Sequence, residues 1–292
     1  MKKKLGFSIA ELAIAVLIIG LIIGGISTGS KLVTHGRIKA AKKASDTSPI
    51  WKIYNDNLNL SAIAWYDVAF EDSITYDTGD GDVSEWKSKV NPYVSMLARQ
   101  ETGTAQPNYE ANGMKGYPGI LFNGSSDFLE LTAPISYADD SYTIAVVWYA
   151  NGTTEGGLFA QADEAATAAN SAEITISTTA NATVSDAAAT SGTITTDKIN
   201  ANVFVVNEGV SGEVVIYDAD YHNTSTAADS EDASSAMTLG VDRALIGALW
   251  SGTAATSFFD GYLAELVIFD KALTTDEVAE VTEYFTTKYK IR

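Results

Sequence analysis

Glu11 is the one ionisable side chain between Phe7 and Ile26. A carboxylate inside an apolar run is costly, and acids kept there tend to carry function. The chemistry open to it is electrostatic: pairing with a cation in a water-poor surrounding. A second acidic group, Asp77, Asp80 and Asp82 in YDTGDGDV, puts three carboxylates within six residues. That composition suits a hard cation such as calcium, or a solvated acidic loop. The spacing D-x-x-D-x-D departs from the EF-hand loop, and no glutamate stands at its twelfth position. Asp229, Glu231 and Asp232 form another acidic loop. Covalent catalysis finds little to work with. The chain has no cysteine and two histidines, His35 and His222. No catalytic residue, metal ligand or cofactor is assigned, and the chain is not expected to be an enzyme.

The segment that holds Glu11 is a long one. Leu12 to Ser30 is 19 residues without an ionisable group, and at about 1.5 Å per helical residue it would cross most of a ~30 Å hydrocarbon layer. Lys2, Lys3 and Lys4 precede it, consistent with retention on the cytoplasmic side. Gly20/Gly24 and Gly25/Gly29 have the GxxxG spacing that lets membrane helices approach closely. A basic cluster from Lys31 to Lys43 then continues the helix, with a solvated face or contact with anionic lipid as its two readings. Ser45-Asp46-Thr47-Ser48-Pro49 is a helix stop.

The opening residues resemble the class III signal of type IV prepilins and pseudopilins. The matching features are the basic leader Lys2–Lys4, Gly6 at the cut, Phe7 as the first mature residue and Glu11 as its fifth. An ordinary secretory signal is cut after its apolar core; here the cut falls before it. The resemblance implies cleavage between Gly6 and Phe7 by a prepilin peptidase and methylation of the new amine. Glu11 of one subunit would then pair with the Phe7 amine of its neighbour during assembly. Two departures stand out: the core reads FSIAELA rather than carrying a bulky residue beside the glutamate, and position 28 is Thr where many pilins carry proline.

Charge divides the chain. Residues 1–43 hold eight of the 19 Lys/Arg and one acid, leaving 11 bases against 36 acids beyond, a net of −25. That surplus argues against nucleic acid as a partner of the outer part. Beyond Pro49 the texture is short β-type runs: 142–150, 173–178, 203–206, 213–219 and 262–269, with Gly, Asn, Asp and Ser between them. Many strands without interleaved helices favour a β-sandwich. Thr274 and Glu277 form a capping-box pattern ahead of Val278, Val281, Phe285 and Tyr289 at helical spacing. Trp65 and Trp86 are read as core. Asn123-Gly124 and Asp260-Gly261 are read as turns.

Residues AWYD (64–67), DGDVSEW (80–86) and QPNYEANGMKGYPGILFNGSSDFLEL (106–131), with FFDGYLAELVIFDKALTTDEVAEVTEYFTTKYKI (258–291), resemble the two ends of bacterial LamG-like, concanavalin A-like jelly-roll domains. Lys290 stands where their KYG-type tail has glycine. The E-x-D-x-x-E cluster that jelly-roll glycosidases of this architecture use is absent. The expected fold class is mainly β with an N-terminal helix: a long transmembrane or filament helix, a concanavalin A-like sandwich and a short C-terminal helix. The expected organisation is a leader over 1–6, the membrane helix over 7–30, a basic extension and linker over 31–62 and the jelly roll over 63–292. Together the resemblances imply a type IV pilin-like filament subunit displaying a sandwich for adhesion or glycan binding. The alternative is a type II secretion pseudopilin with a structural sandwich. Implied partners are prepilin peptidase, other pilin subunits, the inner-membrane assembly machinery and a glycan or host-surface ligand. The implied location is the bacterial inner membrane as a single-pass precursor, then a pilus or periplasmic pseudopilus. Tyr76, Tyr109, Tyr117, Tyr221 and Trp250 are candidate ligand contacts.

Overall fold

The computed structural model describes residues 9–56, 62–90, 96–133, 141–152, 155–163, 171–176, 179–184, 187–193, 197–207, 213–219, 227, 229–232 and 242–291. Helix α1 runs Ile9–Asp46, α2 Pro49–Asp56 and α3 Thr275–Tyr289. The strands, in chain order, are β1 (Ala62–Asp67), β2 (Ile74–Tyr76), β3 (Val83–Lys87), β4 (Leu97–Arg99), β5 (Asn108–Met114), β6 (Tyr117–Asn123), β7 (Leu129–Leu131), β8 (Tyr142–Ala150), β9 (Gly156–Ala162) and β10 (Ser171–Ile176). They continue as β11 (Thr179–Val184), β12 (Ala187–Thr193), β13 (Asn200–Asn207), β14 (Glu213–Asp218), β15 (Asp229–Asp232), β16 (Arg243–Ile246), β17 (Leu249–Trp250), β18 (Ala255–Thr256) and β19 (Asp260–Phe269).

Two sheets stack face to face. One has the order β15-β14-β13-β8-β19-β6-β5, with β1 also paired to β19; the other has the order β12-β11-β10-β9-β16-β7-β4-β3-β2. Strand β19 is the spine of the first sheet. It pairs along its length with β8, and on its other side with β6 through residues 260–263 and with β1 through residues 265–269. The register shifts between Leu263 and Glu265, where a bulge re-aims the strand. Side chains of β1 alternate as a pleated strand requires. Tyr66 faces the second sheet and packs on Trp86 at 5.4 Å, while Trp65 faces the other way, onto Trp51 of α2 at 5.1 Å. The first sheet is therefore covered on both faces, by the second sheet and by the helices. This explains why β8, YTIAVVWYA, is buried at eight of its nine positions.

Trp65 and Trp86 are fully buried, as expected. Thr274 and Glu277 form the capping box, and Val278, Val281, Phe285 and Tyr289 are all buried. Pro49, read as the residue that stops α1, also opens α2, where its missing N–H costs nothing. Asn123-Gly124 does turn, with Asn123 Oδ1 accepting from the Ser125 and Ser126 amides. Asp260-Gly261 does not: it begins β19. A Cβ on Gly261 would collide with the Tyr149 carbonyl, so the glycine serves a close strand approach. Asp229–Asp232, read as a loop, is strand β15 against β14.

The expected fold class needs correction at its N-terminal part. Among the described residues no helix is long and apolar enough to cross a membrane. From Lys31 onward α1 is basic, and Thr34 and Arg37 hydrogen-bond to Asn112 and the Lys115 carbonyl of the sandwich. The mainly β sandwich and the short C-terminal helix stand. The reading of a membrane-spanning or filament-core helix does not, and neither does the location drawn from it, a single-pass inner-membrane precursor.

Candidate functional site: a basic groove above a buried ion cluster

Gly6 and Phe7 lie outside the described residues, and of Glu11 only the backbone is described, within α1. The three aspartates of 77–82 do not converge on one point. Asp77 Oδ1 accepts the Gly79 amide at 2.7 Å, Asp80 Oδ1 the Asp82 amide at 3.4 Å, and Asp82 Oδ1 the Asn108 side-chain amide at 2.8 Å. They fold their own loop. Among the described residues no three acids or histidines are placed to hold a metal ion. Of the aromatic candidates, Tyr76 stacks on Tyr109 at 4.8 Å, Trp250 lies under the Arg243 guanidinium at 4.3 Å, and Tyr221 is outside the described residues. Tyr117 borders a groove.

That groove, of about 800 Å³, runs between α1, the β5–β6 turn, the segment entering β13 and the end of α3. Four exposed cations line it, Arg37, Lys115, Lys198 and Lys290, and the buried Lys288 also borders it. One acid, Asp197, joins them, and it is paired with Lys115. The same Asp197 accepts the Tyr149 hydroxyl at 2.8 Å, and Lys115 holds its carboxyl below the usual carboxylate range. Val33, Ala40 and Ile199 supply apolar wall. The turn is built for α1. Lys115 and Gly116 have φ of 51° and 90°, a backbone suited to a tight hairpin. Arg37 Nη1 donates to the Lys115 carbonyl at 2.9 Å and sits 5.8 Å from the Tyr117 ring centre. Lys290 takes the left-handed cap of α3 at φ 56°, a conformation that favours glycine.

Beneath the groove floor, Lys288 is completely buried and reaches two carboxylates. Asp67 and Glu265 face each other directly in the β1–β19 register, on the helix-covered face. Lys288 Nζ lies 3.0 Å from Asp67 Oδ2 and 2.6 Å from Glu265 Oε2. Glu265 also accepts from Trp65 Nε1 at 2.7 Å and from the hydroxyls of Tyr284 and Tyr289 at 2.8 and 2.9 Å. Ser45, near the end of α1, donates to Asp67 Oδ2 at 2.6 Å, and Lys288 donates to Ser45 at 2.8 Å. Burial pushes the Glu265 carboxyl up, against the pull of Lys288. Burial, and after it the Glu265 charge, lifts both tyrosine hydroxyls far above their ordinary value. A second lysine, Lys89, approaches Asp67 at 4.0 Å, its Nζ 3.2 Å from the Phe70 ring centre and 4.1 Å from that of Trp65. Burial lowers its pKa to about 8.

Sequence reasoning missed this cluster. Its members lie about 200 residues apart, and each alone is an ordinary acid or base. The available signals were Glu265 inside the apolar strand YLAELVIF, and Lys288 on the apolar side of α3, four residues after Tyr284.

No family model matches the chain, and no curated protein matches it. Solved structures resemble it in fold. Domain 4 of AbnA, an extracellular arabinanase from Geobacillus stearothermophilus solved with arabinotriose, is 16% identical over 76% of this chain and 98% of its own, with a TM-score of 0.48. Trypanosoma rangeli sialidase is 13% identical over 78% of this chain and 33% of its own, with a TM-score of 0.49. A heptameric SAP-like pentraxin from Limulus polyphemus is 18% identical over 56% of this chain and 81% of its own, at 0.44. The chain spans about a third of the sialidase. At such identities and TM-scores the likeness assigns no role to this chain. With no described helix long and apolar enough to cross a membrane, the reading as a pilin-like filament subunit, and its pseudopilin alternative, is corrected.

Proposed function

We propose that the protein is a non-catalytic binding module, and that the groove between α1 and the β5–β6 turn takes a carboxylated saccharide. The observation that carries this reading is the charge of the groove. Four exposed cations and one acid line it in a chain of net charge −18. Lys198 and Lys290 are exposed on its rim, where charged side chains give a ligand carboxylate direction and speed of approach. The apolar wall of Val33, Ala40 and Ile199 offers a face on which a pyranose ring can lie, and the volume is that of a small-ligand cleft.

Titration of the full chain with galacturonate oligomers, beside neutral galactose oligomers of the same length, tests the reading. Acidic oligomers are expected to bind with an affinity that falls with added salt, and the double variant Lys198→Gln/Lys290→Gln to weaken them about tenfold. Equal binding of the neutral series, or none of either, would overturn it.

A further inference from the structure

The buried cluster holds the parts of an amide-forming reaction. A lysine amine and an aspartate carboxyl are in contact at 3.0 Å in a site from which water is excluded, and a second carboxylate touches the amine at 2.6 Å. We infer that Lys288 Nζ and Asp67 Cγ become joined by an intramolecular amide bond, with Glu265 moving the protons.

The step balances with what the site contains. Lys288 gives a proton to Glu265 Oε2, and the freed lone pair attacks Asp67 Cγ. The C–N bond forms, Glu265 accepts the second nitrogen proton, and both protons pass to Asp67 Oδ2. The Cγ–Oδ2 bond then breaks and one water departs. One ammonium and one carboxylate become a neutral amide, and Glu265 ends as it began. No oxidant, metal or nucleotide is needed.

The proton route is drawn in hydrogen bonds. Glu265 Oε1 lies 2.8 Å from the Tyr284 hydroxyl, which lies 3.2 Å from Ser45 Oγ, which lies 2.6 Å from Asp67 Oδ2. A proton taken up at Oε2 enters this route once the carboxyl turns to bring that oxygen toward Tyr284, and two hydroxyls then carry it to the departing oxygen. The other oxygen, Asp67 Oδ1, accepts the Ala69 amide at 2.9 Å, which stabilises charge growing there during attack. Holding the partners in contact supplies much of what a bimolecular condensation lacks. The product would tie the first strand to the last helix in a chain with no cysteine, restricting the unfolded state as a disulfide does.

Peptide mapping of the folded full-length chain tests this directly. Trypsin should yield a joined species of residues 53–87 and 272–290, lighter by one water than the two peptides together and uncut after Lys288. Recovery of free 53–87 with free 272–288, and no joined species, would overturn the inference. So would a link from Lys89 in place of Lys288. Lys288→Arg should abolish the joined species, and Glu265→Gln should abolish it or slow its appearance at least about tenfold while the fold persists by circular dichroism. An undiminished link in Glu265→Gln would remove Glu265 from the mechanism. The wild-type map stands as a test even if a variant fails to fold.

Discussion

Asp67 and Glu265 stand directly opposite one another on β1 and β19, two carboxylates on the same buried face of an antiparallel pair. Like charges so placed repel, and here solvent cannot screen them. Lys288, sent down from α3, and Lys89, at the edge of an aromatic cage, compensate them. Ser45 extends the same network to α1, so three chain segments far apart in sequence meet on one charge-balanced point.

Removing the central cation should be severe. Lys288→Met leaves Glu265 without its contacting cation and Asp67 with Lys89 alone, at 4.0 Å, and breaking one partner of such a set typically costs about 3–5 kcal/mol. Equilibrium denaturation in urea is expected to show a loss of that order. A loss under about 1 kcal/mol would mean that the contacts of Lys288 with the two carboxylates add little to the stability of the native fold.

Lys89 should make stability rise with pH in the mildly alkaline range. Its folded-state pKa of about 8 lies below its ordinary 10.5. Between those values the unfolded chain binds more protons than the folded one, so stability increases as pH climbs. Denaturation midpoints at pH 7.5 and 9.5 should differ in that direction for the wild type and differ less in Lys89→Met. Above about pH 10 the buried hydroxyl of Tyr142, raised by burial, pulls the other way.

Lys290 should reveal opposed demands. A non-glycine residue in the left-handed region costs roughly 1 kcal/mol, so Lys290→Gly is expected to raise the melting temperature. The same change removes a groove cation and should weaken acidic oligosaccharides. Thermal unfolding and titration on one preparation check both signs.

Gly116 should be intolerant of a side chain. A Cβ there would overlap the Arg37 guanidinium, and the φ of 90° is itself unfavourable for other residues. Gly116→Val is expected to displace Arg37 and release this part of α1 from the turn. Faster hydrogen exchange across residues 34–40 than in the wild type would show it.

The capping box of α3 gives a milder prediction. Thr274→Ala removes the acceptor for the Glu277 amide and should cost about 1 kcal/mol by chemical denaturation.

Periodicity and turn chemistry made β8, β13, β14, β19 and α3 legible, because alternation, apolar runs and a capping box are local patterns that each segment carries alone. The core roles of Trp65 and Trp86 were legible for the same reason. Placement across the fold was not. Nothing in residues 229–232 distinguishes an acidic loop from an edge strand until β14 lies beside them. Nothing in Asp260-Gly261 tells a turn from a strand start until the Tyr149 carbonyl closes in. A hydrophobic run likewise cannot report what its flanking helix will rest on. The amino-acid sequence by itself determined a β-rich, cysteine-free, acidic chain with a capped C-terminal helix, since composition and short-range spacing suffice for that. Only the tertiary structure decided that Asp67, Glu265, Lys288 and Ser45 share one dry site and that four cations rim one groove, because pairings across about 200 residues are set by sheet register and helix docking, which no local pattern encodes.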